Sequence, residues 1–146
     1  MKNILIAYDS KTGRSRQMAE DIAEGFRATG NQVTLKRILD IQAASELEGY
    51  DAYFFGGPTY FEQPTDEMKA FLFKAREANL KGKTGGAFGS YTHYGEATKI
   101  IHETMEYVFQ MNMVIMGPFK VKDLVLDSEA GCVTCMDYAK AVSERM

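Results

Sequence analysis

The run Asn3 to Tyr8 is apolar without alternation, and it passes directly into a loop of hydroxyls and glycine and then into a helical stripe. A strand that is apolar on both sides belongs between two helical layers, as in parallel sheets. The stripe Met18, Ala19, Ile22, Ala23 and Phe26 repeats at helical spacing and stops at Gly30, a residue suited to a helix C-terminus. Any fold for this chain must therefore accommodate a buried strand that feeds straight into an amphipathic helix.

The same alternation continues to the end. Gln32 to Ile38 reads as a second strand, Ala43 to Leu47 as a short helix, and Asp51 to Phe55 as a third strand halted by Gly56-Gly57-Pro58. Thr65 reads as the N-cap of a helix whose stripe is Met68, Phe71, Leu72 and Ala75. Thr84 to Phe88 is a fourth strand weakened by glycines. A fourth helix follows, with Ala97, Ile100, Ile101, Met105 and Val108 inward. Met113 to Met116 forms a fifth strand, with a resumption at Phe119 left open. A last helix from about Ser128 buries Cys135, Tyr138, Ala139 and Val142. Strands alternating with helices predict an α/β fold with a doubly wound five-stranded parallel sheet and helices on both faces. There is no internal repeat or linker, so residues 1–146 are expected to form a single domain, and 45% hydrophobic residues suffice for its core.

Charge and composition narrow the function. With 17 Lys and Arg against 20 Asp and Glu, the net charge of −3 argues against nucleic acid as a partner. Ile4 to Tyr8 stops at Asp9, too short for a signal-peptide core or a membrane span, so a cytoplasmic location with no membrane contact is expected. Two cysteines make no disulfide framework and two histidines no multi-His metal site. No metal is expected, and redox chemistry would come from an organic cofactor.

The sharpest local motif is Ser10-Lys11-Thr12-Gly13-Arg14-Ser15, between the first strand and the first helix. Its hydroxyls and the backbone N–H groups of a helix start can wrap an anion. It matches neither Gly-x-x-x-x-Gly-Lys-Ser/Thr nor Gly-x-Gly-x-x-Gly, so a monophosphate suits it better than a nucleoside triphosphate or a dinucleotide. An ordinary Ser/Thr-rich loop with capping hydroxyls is the plainer reading. Two further loops follow strands three and four, at the edge where ligands of open α/β sheets bind. Gly56-Gly57-Pro58-Thr59-Tyr60-Phe61 offers a tight turn and two rings. Gly89-Ser90-Tyr91-Thr92-His93-Tyr94-Gly95-Glu96 offers three more. Five flat side chains suit a planar conjugated guest, while the alternative is turn aromatics packing on the domain rim.

These three loops together resemble the flavodoxin family over nearly the whole chain, and in particular the flavodoxin module of the flavo-diiron proteins. The family's Thr/Ser-x-Thr-Gly-x-Thr cradle is matched by Ser10, Thr12, Gly13 and Ser15, with Ala19 in its place in the first helix. The resemblance implies strand order 2-1-3-4-5 and non-covalent FMN, its phosphate held by Ser10, Lys11, Thr12, Gly13, Arg14 and Ser15. Pro58, Thr59, Tyr60 and Phe61 would lie along one side of the ring system. Gly89, Ser90, Tyr91, Thr92, His93, Tyr94, Gly95 and Glu96 would lie along the other. The implied role is low-potential electron transfer without catalytic residues, by transient docking to oxidoreductases that use ferredoxin or flavodoxin, as a monomer or weak dimer. An FMN-dependent NAD(P)H:quinone reductase is the alternative. The chain departs from the pattern in having His93 where the flavo-diiron module usually has Trp. It also has no glycine in Thr59-Tyr60-Phe61-Glu62, where many flavodoxins have one that turns toward reduced flavin N5.

Three smaller features have two readings each. Glu62, Asp66, Glu67 and Glu96 would disfavour the anionic reduced flavin, or would simply complement helix dipoles. His93 would bring a pH-dependent charge beside the ring, or would face water. Cys132-Val133-Thr134-Cys135 would cycle as a disulfide, or would pack in the core, since both cysteines are expected on the apolar stripe of the last helix. A signalling receiver domain lacks its phospho-accepting Asp here, because strand three ends in Gly-Gly-Pro. A low-molecular-weight phosphatase lacks its loop cysteine.

Overall fold

A computed structural model describes residues 1–93 and 95–146. Strands β1 (Asn3–Tyr8), β2 (Gln32–Arg37), β3 (Ala52–Gly56) and β4 (Thr84–Tyr91) are parallel, in the order β2-β1-β3-β4. The fifth position is shared. β5 (Asn112–Met113) pairs with Thr84–Gly85, and β6 (Phe119–Lys122) pairs with Phe88–Tyr91, both parallel. The strand expected over Met113 to Met116 thus ends at Met113. Gly117, at φ 73, makes a turn before Pro118, which has no N–H to give to a ladder. The sheet order is 2-1-3-4-5, with the fifth strand cut in two.

Alternate residues of the buried strands supply two cores. Ile4, Ile6, Phe54 and Phe88 face α1 (Arg14–Ala28) and the last helix, α5 (Glu129–Arg145). Leu5, Ala7, Tyr53, Phe55 and Ala87 face α2 (Asp66–Ala75) and α3 (Glu96–Glu103). Each fully buried Phe or Ile contributes roughly 1.5–3 kcal/mol, so the central strands hold the layers together. The glycines of β4 make room for this packing. A Cβ on Gly86 would lie 2.6 Å from the Phe54 ring, which itself sits 5.0 Å from the ring of Phe26.

Two sequence expectations fail in instructive ways. The fourth helix leaves the α form at a π-type turn, Thr104–Val108. That turn holds an extra residue, so the inward face shifts along the chain. Val108 is exposed, and Phe109 and Met111 take the buried places; Ile100, before the turn, is exposed because the inward face of α3 is Ala97, Thr98 and Ile101. In α5, Cys135 is fully buried but Cys132 is exposed. Gly131 occupies the inward position one turn before Cys135 because a Cβ there would lie 2.8 Å from Leu126 Cα, on the short α4 (Asp123–Leu126). Among the described residues no helix is long and apolar enough to cross a membrane.

Candidate functional site

All three loops lie at the carboxyl edge of the parallel sheet, and each is shaped by its backbone. β1 ends at Tyr8, and Ser10 Oγ accepts from Gly13 N–H at 3.0 Å, closing the loop before α1. Gly13 sits at φ 92, a left-handed conformation that a glycine adopts freely. No side chain caps α1, and its first turn holds no acidic residue. The first N–H groups of an α-helix have no partner within it, so this helix start offers donors without competing negative charge. Ser15 is buried, its Oγ 3.4 Å from Ser90 Oγ, which joins the first loop to the end of β4.

The two charged side chains of this loop are engaged elsewhere. Lys11 Nζ donates to Glu67 at 2.6 Å, and this bond holds the Glu67 carboxyl below the usual glutamate range. Arg14 donates to both oxygens of Asp127, at 3.1 and 3.0 Å, and holds that carboxyl down likewise. Arg14 also lies 3.7 Å from Asp123, whose other contact is a hydrogen bond from Thr92 Oγ1 at 2.8 Å. Thr12, Gly13 and Arg14 line a cleft of about 390 Å³ with Gln17, Leu126 and Asp127.

The loop after β3 is locked to its neighbours. Asp9 N–H donates to Gly56 O at 2.9 Å, Gly57 N–H to Phe88 O at 3.2 Å, and Ala97 N–H to Thr59 Oγ1 at 3.2 Å. A Cβ on Gly89 would lie 2.4 Å from Thr98 Oγ1 and 2.5 Å from Gly57 O, so only glycine lets β4 and this loop approach so closely. Beyond Thr59 the chain makes a two-residue hairpin, with Tyr60 and Gln63 exchanging hydrogen bonds of 2.9 and 3.0 Å. Phe61 and Glu62 at its tip have φ of 51° and 66°, conformations that cost an L residue about 1–2 kcal/mol each. The Phe61 side chain is wholly exposed.

Thr59, Phe61 and Glu62 face Thr92 and His93 across a cleft of about 290 Å³. Four residues expected beside a flat guest, Thr59, Phe61, Thr92 and His93, are therefore brought together. Tyr60 turns instead to a second cleft, shared with Lys11, Phe61 and Glu67. Tyr91 lies half-buried beneath the Lys120 ammonium, 5.8 Å from its ring centre. Gly95 is buried at the start of α3, and a Cβ there would meet Lys120 Cδ at 2.4 Å. Tyr94 lies outside the described residues. Of the carboxylates, Glu62 borders the ring cleft, and Asp66 and Glu67 border the second.

The sequence reading missed Asp9, Thr65 in its second role, Asp123 and Asp127. Asp9 is buried and accepts a hydrogen bond from the Thr65 hydroxyl, which also accepts from Met68 N–H at 3.1 Å. Its position right after β1 is the one signal that could have found it. Asp123 and Asp127 meet Arg14 only through a contact spanning 113 residues in the case of Asp127, which no local pattern records. For the cysteine pair, burial pushes the Cys135 thiol up to about 12, which keeps it protonated and favours packing over redox cycling.

The residues present fit FMN. An acid-free helix start with hydroxyls beside it can take a phosphate, and a cleft between two loops lies on the same sheet edge for a flat ring. Comparison with known proteins agrees. The family described as flavodoxin matches residues 6–131. A flavodoxin of Maridesulfovibrio salexigens is 35% identical over 124 residues, covering 80% of this chain and 83% of its own. An NAD(P)H dehydrogenase (quinone) of Acidovorax ebreus is 31% identical, over 90% of this chain and 78% of its own. The solved rubredoxin oxygen:oxidoreductase of the anaerobe Desulfovibrio gigas aligns with a TM-score of 0.86 at 26% identity, over 98% of this chain and 35% of its own. By fold, loop chemistry and similarity, this chain belongs to the flavodoxin family.

Proposed function

We propose that this FMN-binding flavodoxin acts as an electron carrier, with the phosphate at the start of α1 and the ring system between the loops after β3 and β4. FMN supplies the chemistry by taking up and releasing one or two electrons. The chain's residues bind it, orient it and set its electrostatic surroundings. Ser10, Thr12, Gly13 and Ser15, with the free amides of α1, hold the phosphate. Lys11 and Arg14 border it while their charges are balanced by Glu67 and by Asp123 and Asp127, which limits the positive potential at the cradle. Thr59 and Phe61 would lie along one side of the ring, while Tyr60 faces the second cleft. Thr92 and His93 would lie along the other, with the Ser15 and Ser90 hydroxyls marking where ring and phosphate sites meet.

The observation that carries this reading is the acid-free start of α1 on the same edge as the cleft between Thr59, Phe61, Thr92 and His93. Glu62 at that cleft makes reduced FMN a stronger donor, which suits a low-potential carrier. Partners are oxidoreductases that also accept ferredoxin, met by brief contact. The similarity to the NAD(P)H dehydrogenase (quinone) of Acidovorax ebreus supports a second reading, in which the loaded protein would be reduced directly by NAD(P)H. Absorption spectra during stepwise reduction test both. A carrier binds one FMN per chain and is reduced by dithionite but only slowly by NADH or NADPH. Rapid bleaching by either nucleotide establishes the enzyme, and failure to take up FMN removes both readings.

A further inference from the structure

Between α2 and α3 runs a groove of about 380 Å³ whose apolar wall includes Leu72, Phe73, Ile100, Val108 and Phe109. Phe73 and Val108 are 67% and 54% exposed, so much of this wall is left in contact with water. The π-type turn is the cause on one side, because its extra residue carries Val108 outward while Phe109 turns in. Such turns often mark functional positions. On the other side the Arg76 guanidinium lies 4.8 Å above the Phe73 ring, holding that ring in place on the surface. The charged lining residues of the groove, Lys69 and Arg76, are both cations, although the chain's net charge is −3.

We propose that this groove seats an amphipathic segment of a partner protein, its apolar side chains inward and its flanking carboxylates against Lys69 and Arg76. Pro64 and Lys69 also line the second cleft beneath Tyr60 and Phe61, so the groove runs into the hairpin that flanks the ring site. The docking face then has two signs. Glu62 and Asp66 lie at the hairpin end, where Glu67 is paired with Lys11, Arg76 lies at the groove end, and Lys69 lines both clefts. A face with two signs admits one orientation of a complementary partner and rejects its reverse. A two-fold contact centred on the groove itself sets the same cations against each other, which disfavours a second copy of this chain in that geometry. That the partner is a redox enzyme rests on the carrier reading above. The chemistry of the groove does not.

The test uses a fluorescent helical peptide of about 18 residues with Leu and Phe at i, i+4, i+7 and i+11 between flanking Glu, and a counterpart with Lys for each Glu. Both are titrated against the full chain with and without bound FMN. The Glu peptide is expected to bind at least about tenfold more tightly than the Lys peptide, and Val108→Glu to weaken it about tenfold. The double exchange Lys69→Glu with Arg76→Glu should reverse the preference. The FMN absorption spectrum of each variant reports an intact fold. Equal binding of the two peptides, or none up to about 1 mM, overturns the proposal. So does self-association in sedimentation that Val108→Glu abolishes, or groove-dependent binding to phosphatidylserine vesicles with no preference between peptides. If FMN fails to bind while the Glu peptide still does, the carrier reading falls and the groove assignment stands.

Discussion

The helices α1 and α2 both begin at the same edge of the sheet, yet their starts are built in opposite ways. α2 is finished from within: Thr65 caps it by accepting from Met68 N–H, and Asp66 and Glu67 complement its dipole in the first turn. α1 has a glycine at its cap position, no side-chain cap and no acid in its first turn, so its donors are left for something else. A helix start completed by its own side chains contributes stability. One left open with a glycine at the cap gives up only about a few tenths of a kcal/mol, in return for a site that an anion completes.

Closing the open start should have the largest effect. Thr12→Asp brings a carboxylate next to the phosphate, and FMN binding is expected to weaken about 100-fold by fluorescence titration, since two like charges near 6 Å at a surface cost a few kcal/mol. Riboflavin, which has no phosphate, should bind with nearly unchanged affinity. An equal loss for both flavins would show that the first loop does not hold the phosphate.

Opening the closed start comes next. Thr65→Ala removes the cap of α2 and also strips buried Asp9 of its hydrogen-bond donor, so the chain should lose about 2–3 kcal/mol in urea unfolding, more than a cap alone provides. Thr65→Ser should recover most of it. A loss below about 1 kcal/mol would mean that Asp9 finds another partner.

The smallest effect concerns the contact between the two starts, Lys11 with Glu67. Glu67 has its folded pKa lowered, first by the Lys11 hydrogen bond, so its contribution is present above the unfolded glutamate value and is lost as pH falls through the folded one. Glu67→Gln should therefore flatten the acid limb of the stability curve and, because the same hydrogen bond raises the Lys11 pKa, flatten the alkaline limb as well. A limb of unchanged slope would place the pair among surface contacts of no consequence.

Much of this contrast is legible in the sequence. Thr65 three residues before Met68 announces a cap, and Ser10 to Ser15 announces a loop of donors, because both motifs are local. Strands β1 and β3 are equally plain, since burial on two faces forces unbroken apolar runs. What is hidden depends on events that no short window contains. The π-type turn shifts a helical stripe by one residue and exposes Val108 in favour of Phe109. Gly131 displaces Cys132 from the core because α4 presses against it. The carboxylates that occupy Lys11 and Arg14 arrive from 56 and 113 residues away. Tyr60 has the right residue type and the right loop, yet a left-handed hairpin turns it to a neighbouring cleft.

The divided fifth strand has a consequence for life at high concentration. A sheet with open margins invites another chain to add itself by main-chain bonding, the first step of amyloid-like stacking. On one margin here, two paired residues are followed by a left-handed Gly117 and then Pro118 before pairing resumes for four more. On the other margin, β2 ends in Lys36 and Arg37. Neither border offers an incoming strand a long, uncharged template, which works against edge-to-edge addition of further chains.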